Sequence, residues 1–141
     1  MSTATSSTRD PLRRLQDLVD APRRHSGARE GFEDMELLAM ILNGASPAAM
    51  ATVGADTVGY GSHLVVEDLE TGEESVHRLM SSEAMDLARG HISFEAPLGS
   101  ALLGHRVSDV VEVTTPTSRR ALRIRELRTL PDLLDELAAE S

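Results

Sequence analysis

Four histidines, His63, His77, His91 and His105, recur at intervals of fourteen residues. Imidazole binds metals and moves protons near neutral pH, so regular spacing calls for a test against known ligand patterns. Metal-ligating histidines on one element recur at i+2 on a strand or i+4 on a helix. Each of these four falls on a different element, and no Asp or Glu brackets them as further ligands, so no metal site is expected. The chain has no cysteine, which excludes disulfides, thiolate zinc sites and thiol catalysis together. Ser81, Ser82 and Ser100 have no histidine paired to them by motif, and there is no glycine-rich phosphate loop. Neither nucleophilic catalysis nor direct chemistry on nucleoside diphosphates is expected. What remains is Glu95-Ala96-Pro97, a carboxylate and a proline placed between the strand-like "HISF" and "LGSALLG".

The elements that must position these residues follow from periodicity. Residues 1–9 are rich in Ser and Thr and read as a disordered tail. Asp10-Pro11 is an N-cap followed by proline at the first helical position, and Leu12, Leu15, Leu18 and Val19 follow at helical spacing. Pro22 stops that helix, and "PRRHSGAREG" is a loop. A second helix from about Phe32 to Leu42 ends at Asn43-Gly44, and Ser46-Pro47 caps one short turn. Residues 10–52 thus form a short helical hairpin. "GSHLVVEDL" and "ESVHRLM" are strands flanking the turn "ETGE", with the acids Glu67, Asp68, Glu70, Glu73 and Glu74 read as a solvated turn. "SSEAMDLARG" reads as a short helix, "HISF" as extended and "PLGSALLG" as a short helix opened by Pro97 and closed by Gly104. "SDVVEVTTP" and "RRALRIREL" are two more strands, with Leu122 and Ile124 alternating against Arg123 and Arg125. Residues 129–141 form a closing helix with Leu130, Leu133, Leu134 and Leu137 on one face. The class is α+β: a helical hairpin, a small antiparallel sheet with inserted helices over residues 57–128, and a carboxy-terminal helix.

Composition narrows the function. Phe32, Tyr60 and Phe94 are the three aromatic residues, leaving little surface on which a base or ring can stack. Net charge is −9, unevenly spread: residues 1–29 hold six Arg against three Asp, and residues 30–141 hold eight Arg against twenty acids. A body so acidic repels phosphate backbones, so direct DNA binding is not expected and a protein with a basic surface is the better partner. No apolar run approaches the ~20 residues that cross a bilayer, and the amino terminus lacks the apolar region of a secretory signal; the chain reads as cytoplasmic.

The stretch "GYGSHLVVEDLETGEESVHRLMSSEAMDLARGHISFEAPLGSALLGHRVSDVVEVTTP" resembles the carboxy-terminal domain of the Gre transcription elongation factors. The order and spacing of "GS", "DLETGEE", "GHIS", "APLGSALLGHRVSDVVEV" and the following proline carry the likeness. The resemblance implies an FKBP-like fold that docks on the rim of the RNA polymerase secondary channel, through an acid-Ser-Pro triplet at the start of a short helix. The matching positions are Glu95, Ala96 and Pro97, with Leu98 beside them, and Ala96 departs from the usual Ser. Pro97 fixes φ and opens the helix, and Glu95 lies just before its positive end, where a carboxylate can also meet a partner's Arg or Lys. An FKBP-like fold raises prolyl isomerisation, but that pocket needs aromatic rings which this composition does not supply.

In Gre factors a long amino-terminal coiled coil carries two acidic residues at its tip to hold a catalytic magnesium ion. Here the arms are short, and the tip loop presents Arg23, Arg24, His25 and Arg29 instead. Magnesium requires oxygen ligands, so no metal, cofactor or enzymatic activity is expected. This layout resembles the Rnk subgroup, regulators of nucleoside diphosphate kinase, which binds RNA polymerase and competes with Gre factors without supporting cleavage. The expectation is a non-catalytic transcription regulator that occupies the secondary channel. The alternatives are a cleavage-stimulating factor with Glu33 and Asp34 as a rebuilt acidic tip, and a Gre-like domain retargeted to another protein through its last helix.

Overall fold

The computed structural model describes residues 10–20 and 29–140, the side chains of 29–34 and 140 excepted. Helix α1 spans Pro11–Asp20 and α2 spans Arg29–Asn43, with a single turn, α3, at Pro47–Met50. Then come β1 (His63–Asp68), β2 (Glu74–Met80), a 3-10 turn at Leu87–Arg89, β3 (His91–Ser93) and α4 (Pro97–Leu102). Strands β4 (Val110–Thr115) and β5 (Ser118–Arg128) and helix α5 (Leu130–Glu140) complete the α+β chain. The expected tail, residues 1–9, and the loop between the first two helices lie outside the described residues.

The sheet order is β3-β2-β1-β5-β4. Neighbours pair antiparallel except β3, which runs parallel to β2 as Arg78↔His91, Leu79↔Ile92 and Met80↔Ser93. The expected all-antiparallel sheet is therefore corrected at this edge. The connection from β2 to β3 is a crossover of about ten residues, as a parallel neighbour requires. The expected helix within it is also replaced: only the 3-10 turn forms, because Asp86 caps it through the Ala88 N–H and Gly90 turns the chain at φ +83°.

Strand β5 alternates as expected, with Leu122 and Ile124 buried and Arg123 and Arg125 exposed. Opposite Val65/Val66 the register slips by one residue, so Val65 faces Glu126 and Val66 faces Ile124. This bulge shifts the inward phase and lets Leu127 join the core side. At the β1–β2 turn, Asp68 is not solvated but 7% exposed. Its carboxylate accepts the N–H groups of Glu70 (2.8 Å) and Thr71 (3.3 Å) and the Nε of Arg120 (3.0 Å).

One apolar cluster runs through every layer. Leu15 of α1, Leu38 and Ile41 of α2, and Leu130 and Leu134 of α5 share it with Tyr60, Leu64, Leu79, Leu102 and Ile124. The leucine face of the closing helix is thus spent inside the molecule. Arg14 meets Asp135 at 2.5 Å across α1 and α5, and the Tyr60 hydroxyl donates to the Ile41 carbonyl at 2.5 Å. Burial pushes that phenol up to about 12. Gly44 closes α2 for reasons of space: a Cβ there would stand 2.2 Å from Ser81 Oγ and 2.8 Å from the Tyr60 hydroxyl.

Candidate functional site

The turn between β3 and α4 places the four residues singled out from sequence. Ser93 closes β3, its Oγ accepting from the Glu95 N–H at 3.1 Å and its carbonyl from the Ala96 N–H at 3.1 Å. Phe94 is held inward: its N–H donates to the Met80 carbonyl at 2.9 Å, and its ring meets Tyr60 edge-on at 6.0 Å between centroids. Pinning Ser93 and Phe94 forces Glu95 outward, where it is exposed beside exposed Pro97, with Ala96 and Leu98 half-buried.

Ala96 is the N-cap residue, extended at φ −71° and ψ 159°, and Pro97 takes the first helical position as its fixed φ favours. Ala96 supplies no side-chain cap bond. Helix α4 lies against β3 because Gly99 permits it, since a Cβ on Gly99 would stand 2.1 Å from the Ser93 carbonyl oxygen. Leu102, fully buried, fastens the other end of the helix. The result is a corner that presents one carboxylate and a proline ring to solvent.

The other expected site does not come into view. Arg23, Arg24 and His25 lie outside the described residues, and Arg29 is seen only as the first residue of α2. Among the described residues no group of three His, Cys, Asp or Glu is arranged to hold a metal ion. Nor is any helix among them long and apolar enough to cross a membrane.

The histidines are the residues that the sequence reading kept apart and the fold brings together. His63, His77 and His91 line one cleft of about 370 Å³ with Arg78 and Arg89. Pairing explains it: His63 faces Arg78 across β1–β2, and Arg78 faces His91 across β2–β3. The fourteen-residue interval leaves His77 one residue out of this register, opposite Leu64. His105 stands elsewhere, its Nδ1 3.1 Å from Asp109. That Asp109 carboxyl is held below the usual range by the Arg106 N–H first and by His105 second.

The fold is a five-stranded α+β unit with an exposed carboxylate-proline corner. Residues 53–129 match the family described as transcription elongation factor, GreA/GreB, C-terminal; the chain belongs to that family. It is 41% identical over 69 residues to the transcription elongation factor GreA of Syntrophobacter fumaroxidans, covering 49% of this chain and 44% of that one. It is 31% identical over 107 residues to GreA of Rickettsia bellii, covering 76% of this chain and 59% of that protein. The chain spans about half the length of such curated relatives. Among solved structures, GreA factor homolog 1 of Thermus thermophilus aligns over 88% of this chain and 84% of its own, at 23% identity and a TM-score of 0.46.

Proposed function

We propose that the chain is a non-catalytic transcription regulator that binds RNA polymerase at the rim of the secondary channel and excludes Gre cleavage factors. The observation that carries this reading is the corner at Glu95-Ala96-Pro97-Leu98. The resemblance aligns it with the family's docking triplet, and bonds to Ser93 and Met80 fix the backbone that carries the exposed Glu95.

The hairpin supports the non-catalytic half. At about 1.5 Å per residue, α1 and α2 extend ~15 and ~22 Å, and Leu15, Leu38 and Ile41 tie them into the common core. Arms anchored in this way sit at a channel entrance rather than reaching an active site several tens of ångströms away. The loop at their tip, with Arg23, Arg24, His25 and Arg29, offers cations where magnesium would need oxygens. In this reading the layout is that of the Rnk subgroup, the protein has no cofactor and is not itself an enzyme, and it acts in the cytoplasm.

The test is a binding titration against core RNA polymerase with a full-length Gre factor as competitor, repeated with Glu95→Arg. Mutually exclusive binding that weakens at least roughly tenfold in the variant is expected, the size of a charge-assisted contact replaced by like charge. Equal binding by Glu95→Arg overturns the docking assignment. Shortened transcripts on addition to a backtracked complex overturn the non-catalytic assignment and favour Glu33 and Asp34 as an acidic tip. No binding at all points to another protein partner.

A further inference from the structure

The cleft lined by three histidines belongs to none of the above. At its centre is Arg78, half-buried, with Nη1 donating to the Gly61 carbonyl at 2.8 Å. Burial pushes this guanidinium down to about 10. Among the described residues no carboxylate lies within ion-pair distance of it, although Arg89 nearby is matched by both Glu36 at 2.5 Å and Asp86 at 3.3 Å. A desolvated cation without a counter-charge is costly, and folds normally supply one. Here the residues placed against Arg78 in register are instead His63 and His91.

His91 is disposed as a donor. The Asp86 N–H donates to His91 Nδ1 at 3.0 Å, so the ring's own proton sits on Nε2. His77, paired with Leu64, turns to the other face of β2, where its Nε2 is 3.1 Å from Ser75 Oγ. His63 and His91 are both held below the usual imidazole range, first by burial and next by Arg78. Arg128 adds to this at His63 and Arg89 at His91, against Glu126 and Asp86 respectively. The positive charges around both rings outweigh the acids.

We infer that this cleft binds a small phosphate-type oxyanion, with Arg78 as the charged fork and His63 and His91 as neighbouring donors. A guanidinium carries five N–H groups in a planar fork that fits two oxygens at once, and one of them is taken by Gly61. A tetrahedral anion has enough oxygens to meet the remainder and the imidazoles together. The apolar lining is limited to Leu37 and Val76, with no aromatic ring to stack a base, so the phosphate group itself is what the site reads. The surrounding acidic body disfavours long polyanions, which makes the ligand a small phosphorylated molecule rather than nucleic acid.

The experiment is a chemical-shift titration of the labelled full chain with inorganic phosphate, and separately with pyrophosphate, against sodium chloride at matched ionic strength. Saturable shifts of the His63 and His91 rings are expected with both anions and not with chloride. Tighter binding of pyrophosphate assigns the ligand a diphosphate group, and tighter binding of phosphate a monophosphate. Arg78→Gln is expected to weaken binding at least roughly tenfold. Because Arg78 also holds Gly61, His63→Gln is run beside it and is expected to weaken binding several-fold in a folded chain. Absence of saturable shifts up to about 10 mM anion, equal shifts with chloride, or unchanged affinity in folded His63→Gln overturns the site.

Discussion

Replacing Gly99 with Ala tests how the docking corner is held. A Cβ at this position would stand 2.1 Å from the Ser93 carbonyl oxygen, 3.0 Å from its carbon and 3.1 Å from Phe94 Cα. All three are backbone atoms of the β3 end and cannot swing aside. Ordinary contact needs about 3.5 Å, so α4 must retreat from β3 by roughly 1.4 Å. Leu102 on the same helix is fully buried and resists that movement. Forcing a methyl into such a contact costs about 1–3 kcal/mol, offset by up to about 1 kcal/mol of helix propensity gained over Gly. Gly99 does not have a positive φ, so no backbone strain adds to the cost. The net loss of about 1–2 kcal/mol corresponds to a Tm lower by roughly 3–8 °C for a chain of this size. Thermal unfolding by circular dichroism reads it, with Ser100→Ala as the control, since Ser100 is exposed and its Oγ makes one long bond of 3.4 Å to Pro97. A Gly99→Ala chain melting at or above the parent refutes the argument that α4 is seated by the missing side chain.

Three further outcomes follow from the same geometry. Ala96→Ser places a hydroxyl at an N-cap position that has no side-chain bond; it is expected to add about 1 kcal/mol, seen as a Tm higher by a few degrees, and an unchanged Tm refutes it. Leu134→Ala empties a fully buried position shared by α5 and the hairpin; a loss of about 2–5 kcal/mol in one cooperative denaturant transition is expected, whereas separate unfolding of α5 with the main transition unmoved refutes the common core. Asp68 has its carboxyl lowered from 3.8, by the Glu70 N–H first and Arg120 next. A depressed folded pKa contributes stability that is present above the unfolded value and lost as pH falls through the folded one. Stability is thus expected to fall as pH drops below the ordinary carboxylate range, less steeply in Asp68→Asn, and equal slopes refute the assignment.

Periodicity and punctuation made most of this fold legible. Leu122 and Ile124 alternating with arginines announced β5, and Pro97 and Gly104 bounded a helix that ends at Leu102. What failed did so for lack of tertiary information. The helix expected over "SSEAMDLARG" had capping residues at both ends, but Asp86 capped a shorter turn and Ser81 was drawn into the interior at 6% exposure. The parallel pairing of β3 depends on where a ten-residue crossover lands, and three residues of strand carry no mark of direction. Asp68 looked like one acid among five, and only the return of β5 brought Arg120 to it. The turn at Glu95-Ala96-Pro97 was legible because its geometry is set locally. The cleft was not, because its histidines come from three strands.

Strand β3 joins the two surfaces. At one end His91 lines the cleft, and two residues later Ser93 holds the N–H groups of Glu95 and Ala96. The strand is an edge, three residues long, so its place depends on β2 pairing on one side and α4 packing on the other. A substitution that loosens this frame, such as Gly99→Ala, is therefore expected to weaken polymerase docking and anion binding together. Glu95→Arg, exposed and outside the cleft, touches docking alone, and His63→Gln, on β1, touches the anion alone. That pattern distinguishes loss of a site from loss of the strand that supports both, because a purely structural histidine cluster would leave anion titrations blank in every variant while docking still followed Gly99.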